Sequence, residues 1–521
     1  MYFSETERIV ADIEAKAQGQ MPLEEILLSE ILDWEINPKR QQMLIGQRYY
    51  ENRNDILKRR RMVIGEGGSL WEDTNLANTK IPHAFAKKLV DQKCQYLLGN
   101  PMAIRSTCEE LNSIVNEIFD KQMLKRLGNI CKESINKGIA WLQVYINGEG
   151  KLDFMKIPSE EVIPLWQDGE RRVLDGVIRI YTVLEYIGKE PTKAVKVEYW
   201  TADGVRYYRL EKDDSRKNKP NYSLVPDVDM KQKFVDLKLK KDEPFPHFMN
   251  GKKPGYWGKV PFVAFRYNEE ELPLITFIKG LIDDYDLLKS DDSNTILDNP
   301  NSVLVIKNYD GTDLGEFRRN LAAYRAVKVS DNGGLENLCT EINTVSINEH
   351  LAMVRKDLFE MGGGVDTQNN HTGNTSGEYL KYLYADLDLD CNGIEREFQS
   401  SLENLLYFIC KYYQILTEVD YSAERVDFLF NRDIIINETE AINNCVNSIG
   451  ILSNETIVAN HPWVTDLIRE QKLIAEENEA KAEADEQAEV NEEDEIATED
   501  DDTAEKDDNL KNKDLRYFDF S

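Results

Sequence analysis

The architecture turns on two stretches, LITFIKGLIDDYDLLKSDDSNTIL (residues 274–297) and SINEHLAMVRKDLFEM (residues 346–361). In the first, Leu274, Phe277, Ile278, Leu281, Ile282, Tyr285 and Leu288 recur at three- and four-residue steps, the spacing of one helix face. In the second, Ile347, Leu351, Val354, Leu358 and Met361 do the same, and Ser346-Ile347-Asn348-Glu349 reads as a capping box. The second stretch runs into GGGVDTQNNHTGNTSG (residues 362–377), whose three leading glycines stop a helix. A long helical pattern, Glu378–Thr417, follows. Between the two stretches, Val303–Ile306 and Ala326–Val329 read as strands, separated by a turn at Asn308–Gly311 and a short helix at Leu314–Ala323. Asp331-Asn332-Gly333-Gly334 closes this αβ module. The order describes two helices that project a polar loop.

On the N-terminal side the chain reads as helix over residues 1–35, Pro38–Arg61, Pro82–Leu98 and Leu111–Asn136, with Gly99-Asn100-Pro101 as a strong stop. From Ile139 the period changes to two. Trp141–Ile146 and Leu152–Ile157 form a hairpin about Asn147-Gly148-Glu149-Gly150. Val173–Tyr181, Lys193–Thr201, Val205–Glu211 and Pro261–Arg266 read as further strands, and Lys212–Gly258 as exposed loops. Beyond the long helix come a strand, Val426–Asn431, and helices over 437–480 broken at Gly450 and His461-Pro462. The acidic remainder is disordered by composition. The fold class is α+β, mainly helical.

Composition narrows the function. At 521 residues the chain is long for one core, and three or four domains are the ordinary expectation. No run of 18 apolar residues occurs, so no membrane partner is expected, and the charged N-terminus lacks an apolar signal core. The 7 cysteines show no C-x-x-C spacing and read as reduced, buried thiols. The net charge is −31, about half of it in residues 476–521. Such a chain does not grip nucleic acid through broad basic patches. Phosphate-loop, H-E-x-x-H and G-x-S-x-G patterns are missing, and the 5 histidines are scattered. Asp283, Asp284, Asp286, Asp291 and Asp292 point in different directions around a helix and read as a solvated face rather than a metal site. No catalytic residue, metal or cofactor is assigned. The basic run Lys58–Arg61 reads either as a phosphate-binding cluster or as charge at a helix C-terminus facing an acidic neighbour subunit.

The order helix, αβ module, helix, glycine–asparagine loop, long helix resembles the portal proteins (head-to-tail connectors) of siphovirus-type tailed bacteriophages. Tyr49–Ile56 is similar to that family's early tyrosine-rich motif, and Ala86–Lys93 with Tyr96–Pro101 to its most recognisable one. Leu281–Asp286, Val305–Gly311, Val327–Ser330 and Asn374–Gly377 also match.

The resemblance implies a portal architecture of wing, stem, clip and crown. It implies a ring, typically of twelve subunits, at one capsid vertex, through which double-stranded DNA is packaged and ejected. By the same resemblance residues 1–270 are wing, 271–299 and 344–361 the two stem helices, and 300–343 the clip. Residues 362–377 are the tunnel loop, 378–434 the long helix and return strand of the wing, 435–480 the crown, and 481–521 a disordered acidic tail. Val365, Asp366, Thr367, Gln368, Asn369, Asn370 and His371 are then the DNA-contact residues, with Gly362, Gly363, Gly364 and Gly377 as the loop's hinge. Lys279, Lys289, Arg355 and Lys356 are candidates for lining the tunnel. The implied partners are further copies of the chain, non-specific double-stranded DNA, the terminase large subunit, a head-completion (adaptor) protein, and major capsid and scaffold proteins. The implied location is the virion, after assembly in the host cytoplasm. Two other readings stand beside this one: a different virion or scaffold-interacting protein that recruits partners through its acidic tail, and a metal-dependent nuclease built on the clustered aspartates.

Overall fold

A computed structural model of the chain describes residues 22–64, 68–72, 76–187, 190–212, 222–227, 243–251, 253–298, 303–307, 334–338, 344–368, 377–432, 438–459, 461–464 and 469–481. The chain divides into two compact units: Met1–Thr372 with Lys381–Ile434, and Gly373–Leu380 with Ile435–Ser521.

In the first unit, α1 (Leu23–Ile36) and α2 (Pro38–Tyr50) are separated by Asn37, whose side chain caps α2 at the Lys39 N–H, 2.9 Å. The helix expected over Pro38–Arg61 stops at Tyr50. Asn52 takes a left-handed φ of 58°, and the Arg53 N–H turns back to the Arg48 carbonyl at 2.9 Å. That geometry closes a helix end, and asparagine tolerates it better than most residues. A short 3-10 turn, Asp55–Lys58, and a hairpin of β1 (Met62–Ile64) and β2 (Leu70–Glu72) follow. Next come α3 (Phe85–Leu98) and β3 (Ala103–Ser106). The helix expected over Leu111–Asn136 is two helices, α4 (Glu109–Ile118) and α5 (Lys121–Lys137). Asp120 divides them, because its carboxylate accepts the Met123 N–H at 2.8 Å and starts α5.

The expected hairpin forms as β4 (Ile139–Ile146) and β5 (Leu152–Ile157). Further along the chain lie β6 (Val162–Trp166), β7 (Leu174–Ile187), β8 (Glu190–Thr201), β9 (Gly204–Lys212) and β10 (Tyr222–Pro226), an antiparallel sheet in the order β10-β9-β8-β7-β6. Within the stretch expected to be loops, β10 joins this sheet, and β11 (Phe248–Asn250) pairs with β12 (Lys253–Gly255). β13 (Phe262–Arg266) pairs with β4 in a smaller sheet, β13-β4-β5. Both faces of β4 are buried. Ala140, Leu142 and Val144 join a core with α3, α5 and later helices, while Ile139 and Trp141 join a second core with α1 and the larger sheet. The central strand thus ties the two cores together.

The two deciding stretches become α6 (Ile275–Asp298) and α7 (Thr344–Met361). Ser346 lies inside α7 rather than at its cap. Between them β14 (Val303–Lys307) pairs antiparallel with β15 (Gly334–Leu338), Val303 opposite Leu338 and Lys307 opposite Gly334. The partner strand therefore begins at Gly334, where the turn closing the module was expected. The strand expected at Ala326–Val329 and the helix at Leu314–Ala323 lie outside the described residues. α8 (Gly377–Thr417) places Ile394, Phe398, Leu402, Leu405 and Ile409 in the first core, and β16 (Val426–Leu429) pairs with β3.

The second unit contains α9 (Glu438–Asn447), α10 (Asn454–Ala459) and a helix over 469–481. Among its described residues, several large apolar side chains, such as Ile449, Ile451 and Trp463, are exposed and none is fully buried.

Candidate functional site

Two segments brace the packed pair α6 and α7. The first, residues 77–84, lies along α6. The Thr79 N–H donates to Asn294 Oδ1 at 2.7 Å, the Ile81 N–H to Ser290 Oγ at 3.1 Å, and the His83 N–H to Asp286 Oδ1 at 2.9 Å. Every second backbone amide therefore meets every fourth side chain of the helix. The spacings match: two residues of extended chain rise about 6.7 Å and four residues of helix about 6 Å. Asp286, Ser290 and Asn294 are buried. Asp286 also accepts from His83 Nδ1 at 2.8 Å and from the Asn54 amide at 2.6 Å. Asp286 is therefore not part of a solvated acidic face, as its sequence context suggested. Burying a carboxylate is tolerable only when donors surround it, as they do here.

Beside this ladder, Asp283 accepts from the buried Tyr49 hydroxyl and from Lys279 Nζ, the latter at 2.6 Å. Lys279 also reaches Asp55 at 2.8 Å. Burial alone would lower the pKa of the Lys279 ammonium, but Asp283 and Asp55 outweigh it and hold it above the usual lysine range. The basic run engages its own chain: Arg59 pairs with Asp291 at 2.6 Å and Lys58 with Asp55 at 3.1 Å. It starts at the end of a 3-10 turn, not at an α-helix end.

The second brace holds the loop after α7 against α3. Gly363 is left-handed at φ 54°, the Gly364 N–H returns to the Phe359 carbonyl at 2.9 Å, and the Gly363 N–H returns to Glu360 at 3.2 Å. These two bonds make a Schellman closure of α7. A Cβ on Gly362 would sit 2.7 Å from Leu89 Cδ1, and one on Gly364 would sit 2.2 Å from Leu89 Cδ2. The glycines allow backbone to press on helix α3. Lys93, fully buried, donates to the Gly363 carbonyl at 2.8 Å and to Asp390 at 2.5 Å. Gln92 holds Val365 at both backbone atoms, accepting its N–H at 3.0 Å and donating to its carbonyl at 3.2 Å. Arg355 grips Asp366 with two bonds, 2.6 and 2.7 Å, and Asp366 accepts the Gln368 N–H at 3.0 Å. Burial would raise the pKa of Asp366, but Arg355 and that amide outweigh it and hold the carboxyl below the ordinary value.

The site residues named from sequence therefore divide. Val365 is buried beside Tyr96, Leu387 and Cys391, and Asp366 is committed to Arg355, so neither side chain is presented for contact with DNA. An apolar side chain with a core to enter does so, and a loop carboxylate beside an arginine pairs with it. Thr367 and Gln368 are exposed. Asn369, Asn370 and His371 lie outside the described residues. Gly362, Gly363 and Gly364 are packed in place rather than hinged, and Gly377 is the first residue of α8. Of the four tunnel candidates, Lys279 and Arg355 are engaged within the chain, Lys289 is half-buried and Lys356 is exposed. Sequence reasoning missed Leu89, Gln92 and Lys93 as the loop's seat. Their only sequence signal is that a lysine lies on the apolar face of α3.

The family profile described as "Phage portal protein, SPP1 Gp6-like" matches residues 33–484. The portal protein of Bacillus phage SPP1 is 32% identical over 444 residues, covering 84% of this chain and 84% of that relative. The portal protein of Clostridium phage phiCD119 is 27% identical over 454 residues, covering 84% of this chain and 92% of its own. Among solved structures, a chain from the neck of a native GTA particle computed with C12 symmetry overlaps 73% of this chain and 89% of its own, at a TM-score of 0.39 and 10% identity. With the profile spanning most of the chain and a relative matched at this identity, the chain belongs to the SPP1 Gp6-like family of phage portal proteins.

Proposed function

We propose that this portal protein assembles as a closed ring of twelve copies in the virion, with double-stranded DNA passing through its channel. In this reading α6 and α7 are the stem, β14 and β15 belong to the clip, and the segment from Thr367 to His371 faces DNA. The clip docks the terminase large subunit during packaging and a head-completion protein afterwards. Residues 435–480 form the crown. The observation that carries the reading is the α6/α7 pair itself. One flank is fixed by the buried ladder, while Phe277, Leu287, Val345 and Met353 on these helices stay exposed. Exposed apolar side chains on a helix pair fit a surface that a further subunit covers.

The loop chemistry suits sliding. Phosphate contacts by lysine or arginine add affinity and salt dependence, and repeated around a ring they would stall DNA. Arg355 and Lys279 are neutralised by carboxylates of their own chain. The segment from Thr367 to His371, in which Thr367 and Gln368 are exposed, contains only neutral polar groups at pH 7 with His371 uncharged. Such groups make brief hydrogen bonds to phosphate oxygens.

Negative-stain microscopy of the purified protein tests the ring. Particles with a central hole are expected, and only compact monomers at high concentration would refute it. Deleting Gln368–Thr372 should leave rings intact and abolish packaging, so normal packaging by that variant would remove the loop's role.

A further inference from the structure

Cys94 on α3 and Cys131 on α5 meet where these two helices pack, and both are free thiols. Cys94 Sγ donates to the Gly128 carbonyl at 3.3 Å, within one helical turn of Cys131. The Cys131 thiol lies within hydrogen-bonding reach of Cys94. Their access differs. Cys131 is fully buried, whereas Cys94, itself buried, forms part of the wall of a cleft of about 320 Å³. The end of α3, the stretch Gly99–Met102 and α5 line this cleft. Gln95, Asn100, Lys125 and Asn129 in its lining are exposed, so it opens to solvent. A peroxide is little larger than a water, whose share of liquid volume is about 30 Å³, so the cleft admits it.

We propose that Cys94 and Cys131 are a peroxide-sensitive dithiol: a peroxide entering the cleft oxidises Cys94, and Cys131 then closes a disulfide between α3 and α5. The Cys94 thiolate attacks one peroxide oxygen. An S–O bond forms, the O–O bond breaks, and the second oxygen leaves as hydroxide, which the Cys94 proton turns to water. Cys131 sulfur attacks the resulting sulfenic acid. The S–S bond forms, the S–O bond breaks, and that oxygen leaves with the Cys131 proton as a second water. The two thiols lose two electrons, and the peroxide is reduced by them. The surroundings favour Cys94 as the attacking thiol. The hydrogen bond from Cys131 holds it below its usual value, with help from the nearby Lys132 ammonium, against burial that would raise it. The same bond and full burial push Cys131 up. A third thiol, Cys391, reaches the Lys93 carbonyl at 3.8 Å and is pushed up to about 12 by burial. The disulfide ties α3, whose Gln92 and Lys93 seat the loop after α7, to α5. Nothing in this requires the ring.

The test uses the full chain, folded, treated with hydrogen peroxide, capped with iodoacetamide and digested without reductant for mass spectrometry. One peptide pair joined through Cys94 and Cys131 is expected, two hydrogens lighter than its reduced halves together and separated by a reductant. Cys94 should lose its thiol at least about tenfold faster than Cys391, since the thiolate is the reacting form. Cys131→Ala should stop at the sulfenic acid, trapped on Cys94 by dimedone, and Cys94→Ala should leave Cys131 unoxidised. The wild-type measurement stands whether or not these variants fold. No joined pair from folded protein, a pair that appears only in denaturant, or equal loss at Cys94 and Cys391 would overturn the proposal. A pair joined through Cys391 in place of Cys131 would overturn it equally.

Discussion

The two braces on the α6/α7 pair use opposite means. The ladder on α6 is buried, and three side chains there satisfy three amides of a segment remote in sequence. The loop base on α3 relies on missing side chains at Gly362 and Gly364, on Gln92 and the buried Lys93, and on an ion pair, Arg355 with Asp366, that water partly reaches. A buried polar group that loses its partner costs its full desolvation, whereas a solvent-exposed ion pair contributes little. The ladder therefore belongs to the folded core. The Arg355–Asp366 pair of the loop base can therefore be removed at less cost than a rung of the ladder.

The sharpest way to break this contrast is at Asp286. Asp286→Ala removes the buried acceptor of the His83 amide, the His83 ring and one of the two Asn54 N–H bonds. A loss of about 3–5 kcal/mol is expected, read as a drop in the denaturation midpoint. Asn294→Ala removes the end rung only and should cost about 1 kcal/mol. A wild-type midpoint for Asp286→Ala would mean that the ladder is not part of the core.

Gly364→Ala probes the loop base by volume. Its Cβ would meet Leu89 Cδ2 at 2.2 Å, so Leu89 or the loop must move. Overpacking of this kind costs about 1–3 kcal/mol. Adding Leu89→Ala should recover part of that loss, because it removes the atom in conflict. Two losses that simply add would show that Gly364 is needed for some reason other than close approach.

The two deciding helices and the long one were legible to within a few residues, because apolar side chains at three- and four-residue steps have few other uses. The central hairpin was equally plain. What stayed hidden was reach across the chain. Asp286, Ser290 and Asn294 follow helical spacing, but polar residues in that pattern look like a wet face until another segment's backbone is known to lie against them. The triple glycine announced a helix end correctly. Its further meaning was inverted, since a sequence shows the absence of Cβ and not the Leu89 methyls that occupy the space. The end of α2 was missed because an asparagine in left-handed geometry leaves no mark of its own. Val365 was misplaced because a single apolar residue among polar ones cannot show that Tyr96, Leu387 and Cys391 await it.

The smallest expected effect lies at the Arg355–Asp366 pair, and its pH dependence separates it from the ladder. The folded-state carboxyl of Asp366 titrates below its ordinary value of 3.8. Its contribution is therefore complete above the unfolded value and is lost as pH falls through the lower, folded one. Asp366→Asn should cost about 1 kcal/mol or less at pH 7, and its difference from wild type should begin to shrink as the pH drops below about 3.8 and vanish only below the lower, folded value. Salt should shrink that difference at pH 7, since the pair is partly exposed. Because the brace is local, the effect should appear first as faster amide exchange at Val365 and Gln368, with the global midpoint almost unmoved. A loss that persists at low pH, or one that spreads to the Thr79–His83 amides, would show that the loop base and the ladder unfold together, and the contrast between them would be gone.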